Sequence, residues 1–391
     1  MPGERVLIVG LSGRALAASA RRAGYAPVVL DAFNDVDTQA CALASERVPI
    51  DDAWRFDEGR LLTAARRLAP PPVPLVWCSG FERTTGLLEK LAEGRTLYGN
   101  DAATAARIKD PFAFAARLAE LGLDHPEVRR EPPDDPESWL IKRVGGAGGA
   151  HIRPATLADP AGHDEYYQRR VPGSPVSALV IVDGVGARVL CFSEQWADPA
   201  PDGRAFRFGG CAVPATLSSF EVGARLARAA ETVAASYALR GIGSVDFLVD
   251  GDRFHLLEVN PRPGASLDAC ERAHGVSLFE AHVRACGGYL GETLPSPRCA
   301  VASAIVFARS RLVVPHGMGW PAWAADRGQV GTVMLEGHPV CTVFGEGIDA
   351  GEARRQVLHR AEEVLTYLEG ASAMFHAPWG VLPEALVDVP A

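Results

Sequence analysis

GSVDFLVDGDRFHLLEVNPRPGASLD, residues 243–268, holds two short apolar runs, 245–249 and 254–259, joined by Asp250-Gly251-Asp252. An Asp-Gly pair between β-prone segments predicts a hairpin. Asp246, Glu258 and Asn260 lie on that hairpin, and Arg262 follows it. Glu258 and Asn260 are two residues apart, so on one strand they share a face, and the hairpin brings Asp246 opposite them. Two carboxylates and an amide oxygen make an all-oxygen set suited to Mg²⁺, with Mn²⁺ as a substitute. The competing reading is a surface hairpin with solvated acids. Against it stands the apolar setting of residues 256–264, because charges embedded among apolar residues need a partner.

The rest of the chain sets limits. Its 391 residues predict two or three domains with real cores, and 48% apolar with 22% charged residues is an ordinary globular balance. A net charge of −9 argues against a nucleic-acid partner, which needs a basic footprint. Eight cysteines without a CxxC read as reduced, mostly buried thiols of a cytoplasmic protein. No apolar run approaches about 18 residues, so no membrane span is expected. The opening Met1-Pro2-Gly3-Glu4 runs straight toward a strand, so no signal peptide is expected.

Over the first hundred residues strand and helix alternate: strands at 5–10, 27–30 and 74–78, helices at 12–23, 61–68 and 84–92. This predicts a parallel, Rossmann-like sheet with helices on its faces. Gly10-Leu11-Ser12-Gly13 after the first strand and Asp31 after the second form a partial dinucleotide fingerprint. It supplies a rival reading, an NAD-dependent oxidoreductase. Ser12 and Ala15 break the full G-x-G-x-x-G spacing, and any βαβ unit needs small residues at its first turn.

Further on, a helical run starting at Ala102 is expected to carry Lys109, and a second helix is expected at 112–121. A proline-rich loop at 132–136 marks a subdomain edge. A strand at 139–142 ends in Lys142 and leads into Gly145-Gly146-Ala147-Gly148-Gly149. Glycines there let successive N–H groups converge on an anion, and Lys142 adds a point charge. The lysine precedes the glycines, so this is not a Walker motif; a plain hairpin turn is the alternative. The loop has few side chains to pack and is expected to order only on phosphate contact. Gln168 opens a segment whose Val171-Pro172-Gly173 reads as a hinge between subdomains, or as an edge strand stopped by proline. Runs at 176–182 and 188–192 pair across Asp183-Gly184, and 221–239 is an amphipathic helix.

Taken in order, Lys109, Lys142 with its glycine loop, the 168–173 segment and Asp246…Glu258-x-Asn260-Pro261-Arg262 resemble the ATP-grasp superfamily over about residues 95–290. The fold class this implies is α/β and α+β: an N-terminal pre-ATP-grasp sheet domain at 1–101, then a two-subdomain ATP-grasp fold at 102–300. A small lid at 136–187 and a C-terminal segment at 301–391 completing the core are also expected. The resemblance further implies that Lys109, Lys142, Gly145, Gly146, Gly148 and Gly149 meet the nucleotide phosphates. Gln168 and Val171 would meet adenine, Asp246, Glu258 and Asn260 would hold Mg²⁺ or Mn²⁺, and Arg262 would face an acyl phosphate. Pro175 stands where many relatives place an acid for the ribose, leaving Ser177 as the substitute.

Arg95-Thr96-Leu97-Tyr98-Gly99-Asn100, and more loosely residues 337–343 with a helix at 350–368, resemble a carboligase-like subgroup related to biotin carboxylase. That subgroup includes the tyramine–glutamate ligase of methanofuran synthesis. The resemblance implies ATP-dependent amide formation from small-molecule carboxylate and amine substrates, with Arg262 and Arg272 able to hold a dicarboxylate, and it leaves room for a homodimer. A biotin-type carboxylase and a non-catalytic nucleotide-binding subunit stay open beside it.

Overall fold

A computed structural model describes residues 3–158, 160–200 and 203–375. The chain begins with four parallel strands, β1 (Arg5–Gly10), β2 (Ala26–Asp31), β3 (Ala44–Arg47) and β4 (Leu75–Trp77), ordered β3-β2-β1-β4. Strands β1, β2 and β4 are apolar along almost their whole length because both faces are covered. Val6 and Ile8 pack on α1 (Arg14–Arg22), beside which lies the short α2 (Val36–Cys41). Leu7 and Val9 point the other way, onto α3 (Glu58–Leu68) and α4 (Thr85–Ala92). The expected Rossmann-like sheet is therefore present. Its carboxyl-end loops, 10–14, 31–35 and 78–82, all open on one edge, where α/β sheets present ligands.

A small antiparallel sheet follows, β5-β8-β6-β7, made of β5 (Val128–Arg129), β6 (Trp139–Arg143), β7 (Arg153–Pro154) and β8 (Glu165–Arg169). Trp139, Ile141 and Tyr167 form its own core. Lys142, Tyr166 and Gln168 take the opposite face.

The large sheet is antiparallel and eight-stranded. It contains β9 (Ser174–Asp183), β10 (Ala187–Ala197), β11 (Phe208–Val213), β12 (Arg240–Asp250), β13 (Arg253–Asn260) and β14 (Ala300–Phe307). After a ribbon of β15 (Leu312–Val313) with β17 (Val333–Met334), it is completed by β16 (Ala324–Ala325) and β18 (Pro339–Gly347), in the order β13-β12-β9-β10-β11-β14-β18-β16. One face packs α7 (Phe220–Ser236) through Val222, Leu226 and Val233, together with Phe114 of α6 (Pro111–Glu120). The other packs α8 (Ser266–His274), α9 (Phe279–Cys286) and the N-terminal domain. Its far end is covered by α10 (Ala350–Phe375).

Two expected boundaries move. The lid expected at 136–187 gives up Ser174–Asp183, which pairs with both β10 and β12 inside the large sheet, and gains Val128–Arg129. The 300/301 boundary falls at the first residues of β14, which bonds to β11 and β18, so the C-terminal segment is part of the same sheet. Residues 376–391 of that expected segment lie outside the described residues. No described helix is long and apolar enough to cross a membrane.

Candidate active site

The hairpin of β12 and β13 sets Ser244 opposite Asn260 and Asp246 opposite Glu258, and β9 sets Ser177 opposite Asp246. One row, Ser177–Asp246–Glu258, thus crosses three strands on one face. A β-bulge follows immediately: Phe247 pairs with Leu256, leaving Leu257 as the extra residue. The bulge has a consequence. Leu256 and Glu258 are two apart and would otherwise share a face, yet Leu256 is buried in the core with Phe247 while Glu258 joins the polar row.

The polar row is tied together and capped by a cation. Ser177 Oγ donates to Asp246 Oδ1 at 2.5 Å, and Asn260 Nδ2 donates to Asp246 Oδ2 at 3.0 Å and Glu258 Oε1 at 3.3 Å. Lys109, the last residue of α5 (Ala102–Lys109), is buried and brings its ammonium 2.8 Å from Asn260 Oδ1 and 3.3 Å from Glu258 Oε2. Burial, then the neighbouring charge of Glu258, pushes the Asp246 carboxyl up to about 7. Burial works the same way on Glu258, but Lys109 and Lys142 outweigh it and hold that carboxyl down at about 2. The amide and carboxylate oxygens that hold a Lys ammonium are hard ligands of the kind Mg²⁺ takes, so the residues fit that ion. Among the described residues no three His, Cys, Asp or Glu side chains are grouped closely enough to bind a metal. The set reaches three ligands only through the amide of Asn260.

The small sheet lies above this row. Lys142 is buried, its ammonium disfavoured by that burial, and it donates to Gln168 Oε1 at 3.3 Å. Lys109, Lys142, Gly145, Gly146, Tyr166, His125, His151 and Glu258 line one cavity between the two sheets. Gly145, Gly148 and Gly149 have positive φ, at 67°, 69° and 73°. The loop is not the unpacked segment expected from its composition. A Cβ at Gly145 would come within 2.6 Å of the Glu82 carbonyl oxygen, one at Gly149 would strike the Phe206 carbonyl, and Phe208 N donates to Gly148 O at 2.9 Å. Glycine is required where the loop approaches other backbone.

At the hinge, Val171 lies between β8 and β9. Gly173 (φ 135°) lets the chain pass against β12, since a Cβ there would meet Val249 N at 2.9 Å. Ser177 does not serve as the expected ribose contact: the residue is 1% exposed and its hydroxyl is committed to Asp246.

Arg262 is buried and donates from Nε to Glu82 Oε1 at 2.8 Å; Glu82 also accepts from Gly80 N and Phe81 N. Burial opposes both charges, and each keeps the other ionised: Arg262 holds Glu82 below its ordinary range and Glu82 raises Arg262. Arg272 is already engaged, bonded to Asp268 at 3.0 Å and stacked 3.8 Å over Phe344, where Arg14 also reaches Asp268 and Asp326. Arg262 and Arg272 therefore do not form the free pair expected for a dicarboxylate. Asp31, the key residue of the dinucleotide reading, is fully buried and accepts from Gly13 N, Phe33 N and Asn34 N, so its carboxylate braces the loop and cannot reach a ribose.

Sequence reasoning missed Glu82, His125 and His151. Glu82 follows β4 in Gly80-Phe81-Glu82-Arg83, at the carboxyl edge of the parallel sheet, and that position was a readable signal. The histidines carried none.

Residues 108–266 match the family model described as ATP-grasp domain. The chain is 26% identical over 247 residues to the carbamoyl phosphate synthase large chain of Streptomyces avermitilis, a match covering 56% of this chain and only 22% of that one. Its fold superposes on biotin carboxylase from Campylobacter jejuni, solved with β-γ-ATP, with a TM-score of 0.70 at 14% identity over 94% of this chain and 95% of that one. It also superposes on the biotin carboxylase domain of Hydrogenobacter thermophilus 2-oxoglutarate carboxylase, a dimer solved with MgADP, ADP and bicarbonate. There the TM-score is 0.71 at 12% identity, over 92% and 90% of the two chains. Residues 108–266 thus match an ATP-grasp domain, and the chain as a whole has a biotin carboxylase-like fold.

Proposed function

We propose that this protein is an ATP-dependent carboxylate–amine ligase that works through an acyl phosphate. The observation that carries the reading is the cation-holding row of Asp246, Glu258 and Asn260, capped by Lys109 and facing Lys142 and the glycine loop across one cavity. Phosphoryl transfer asks for positioning and neutralised charge more than for covalent help from the protein. Lys109 and Lys142 supply positive charge to the nucleotide phosphates, and the loop N–H groups of Gly145, Gly146, Gly148 and Gly149 add dipoles. Gln168 and the Val171 backbone are assigned to adenine. Mg²⁺, or Mn²⁺ in its place, supplies further charge neutralisation at the phosphates when held by Asp246, Glu258 and Asn260.

A substrate carboxylate oxygen attacks the γ-phosphorus, the bond to ADP breaks, and the acyl phosphate forms. Arg262, fixed by Glu82, steadies its oxygens in this reading. The amine then attacks the carbonyl carbon, loses a proton, and expels phosphate. The fold neighbours are carboxylases, so activation of bicarbonate for a biotin-type carboxylation is the second reading; the resemblance of the Arg95–Asn100 run and the hairpin motif favours the amide ligase. Within it, glutamate with tyramine or a related aromatic amine is the leading pair, as in methanofuran-type cofactor synthesis, and a homodimer in the cytoplasm is the expected setting. Hydroxylamine with MgATP should trap a glutamyl hydroxamate. Trapping with another acid but not with glutamate discards this substrate, and bicarbonate-dependent ADP release that requires biotin establishes the carboxylase instead.

A further inference from the structure

Two imidazoles line the cavity between the small sheet and the polar row, and each has one ring nitrogen sealed from solvent without a hydrogen-bond partner among the described residues: Nε2 of His125 and Nδ1 of His151. They are not equivalent. His125 Nδ1 lies 2.8 Å from the Leu256 carbonyl oxygen, which only accepts, so that nitrogen carries the proton. Burial pushes His125 down to about 4, the ring is neutral, and Nε2 is left with a lone pair that cannot donate to an anion. The His151 ring meets the Ala147 carbonyl, which favours its protonated form, in which both nitrogens donate, and its Nδ1 keeps no hydrogen-bond partner among the described residues.

The loop is shaped around His151. Gly146 has an ordinary backbone conformation, and its glycine is explained by space: a Cβ there would run into the imidazole ring. The ring faces Lys142 of β6, Lys109 of α5 and Glu258 of β13, the groups assigned to phosphates and cation. A buried polar nitrogen with no partner costs stability unless a ligand completes it.

Resting on the ATP reading, we infer that His151 is a further phosphate-binding residue of this chain, its Nδ1 donating to a β- or γ-phosphate oxygen beside Lys109 and Lys142. Burial, then Lys142, pushes the ring down to about 4. A polyphosphate reverses that field, and the Ala147 carbonyl already favours the protonated ring. The contact selects nucleotides that carry phosphates beyond the first.

The test is calorimetric titration of the full chain with MgATP and with AMP. An asparagine amide reproduces the position of Nδ1, whereas a glutamine amide reproduces that of Nε2. His151→Ala and His151→Gln should each weaken MgATP about tenfold or more, as loss of a hydrogen bond to a charged group does, and leave AMP within about twofold. His151→Asn should keep most of the wild-type affinity. Unchanged MgATP affinity in the alanine and glutamine variants overturns the inference. So does a parallel loss of AMP and MgATP, which would make His151 only a prop for the loop. A wild-type chain that binds no MgATP at all overturns the ATP reading itself, and this inference with it.

Discussion

Arg262 Nε sits 2.8 Å from Glu82 Oε1, a buried ion pair that joins the residue following the hairpin to the carboxyl edge of the N-terminal sheet, 180 positions away in the chain. The N-terminal domain therefore reaches the candidate centre through a buried charge. Glu82→Ala strands the Arg262 guanidinium without a counter-ion and should cost about 3–5 kcal/mol of stability, as breaking one side of a buried pair does. Glu82→Gln keeps the volume and two of the backbone contacts, and should lower turnover about tenfold or more with a smaller fall in melting temperature. Thermal melts and ADP release on both variants check this; unaltered melting in Glu82→Ala contradicts the pairing.

Glu258→Gln removes one charged oxygen and the anionic partner of Lys109. Turnover should fall roughly a hundredfold, comparable to losing a principal electrostatic stabiliser, while far-ultraviolet circular dichroism stays unchanged. Near-normal MgATP-dependent turnover would remove Glu258 from the site.

The hairpin triad, Lys109 and Lys142 were legible because each signal is local: an Asp-Gly turn, period-two alternation, a lysine on a helical run or at the end of a strand. The bulge was not, because Leu256 and Leu257 are identical and nothing in the run says which is the extra residue. Glu82 and His151 were unread because their meaning comes from partners far away in sequence or from a ring nested on Gly146. The same applies to β14, which enters the large sheet by pairing with β11 88 to 94 residues earlier in the chain, and to β18, which enters it only through β14. Gly145 and Gly149 were read as freedom for an anion, whereas close approach to Glu82 and Phe206 also requires them.

Asp246 gives the cation site a pH dependence. Its carboxyl is raised to about 7, so at pH 6 it is largely protonated and must lose that proton to serve as a ligand. The rise in melting temperature caused by Mg²⁺ with ATP should therefore be larger at pH 8 than at pH 6. The metal-free protein runs the opposite way at this group, since stability associated with a raised carboxyl is whole below about 4 and is lost as pH climbs toward 7. An Mg²⁺ effect that shrinks between pH 6 and 8 contradicts the assignment.

His282 has the reverse sign. It is buried, accepts from Ile242 N at 2.9 Å, faces the Tyr98 carbonyl at 3.1 Å, and burial depresses it to about 4. An unfolded histidine titrates near 6.5, about where the neutral ring's contribution begins to fade. That contribution is whole above 6.5 and is lost as pH falls toward 4. Melting temperature should drop across this window in the wild type, and the profile of His282→Gln should be flatter; identical slopes would contradict it.

The central claim is that the site activates a carboxylate at the expense of ATP. The most direct measurement is carboxylate-dependent ADP release under hydroxylamine, run with wild type and Glu258→Gln across a panel of amino acids and bicarbonate. The account predicts that at least one acid gives equimolar ADP and hydroxamate with wild type in the presence of Mg²⁺, and that the variant gives almost none. AMP in place of ADP, or hydroxamate formed equally well by Glu258→Gln, would contradict it.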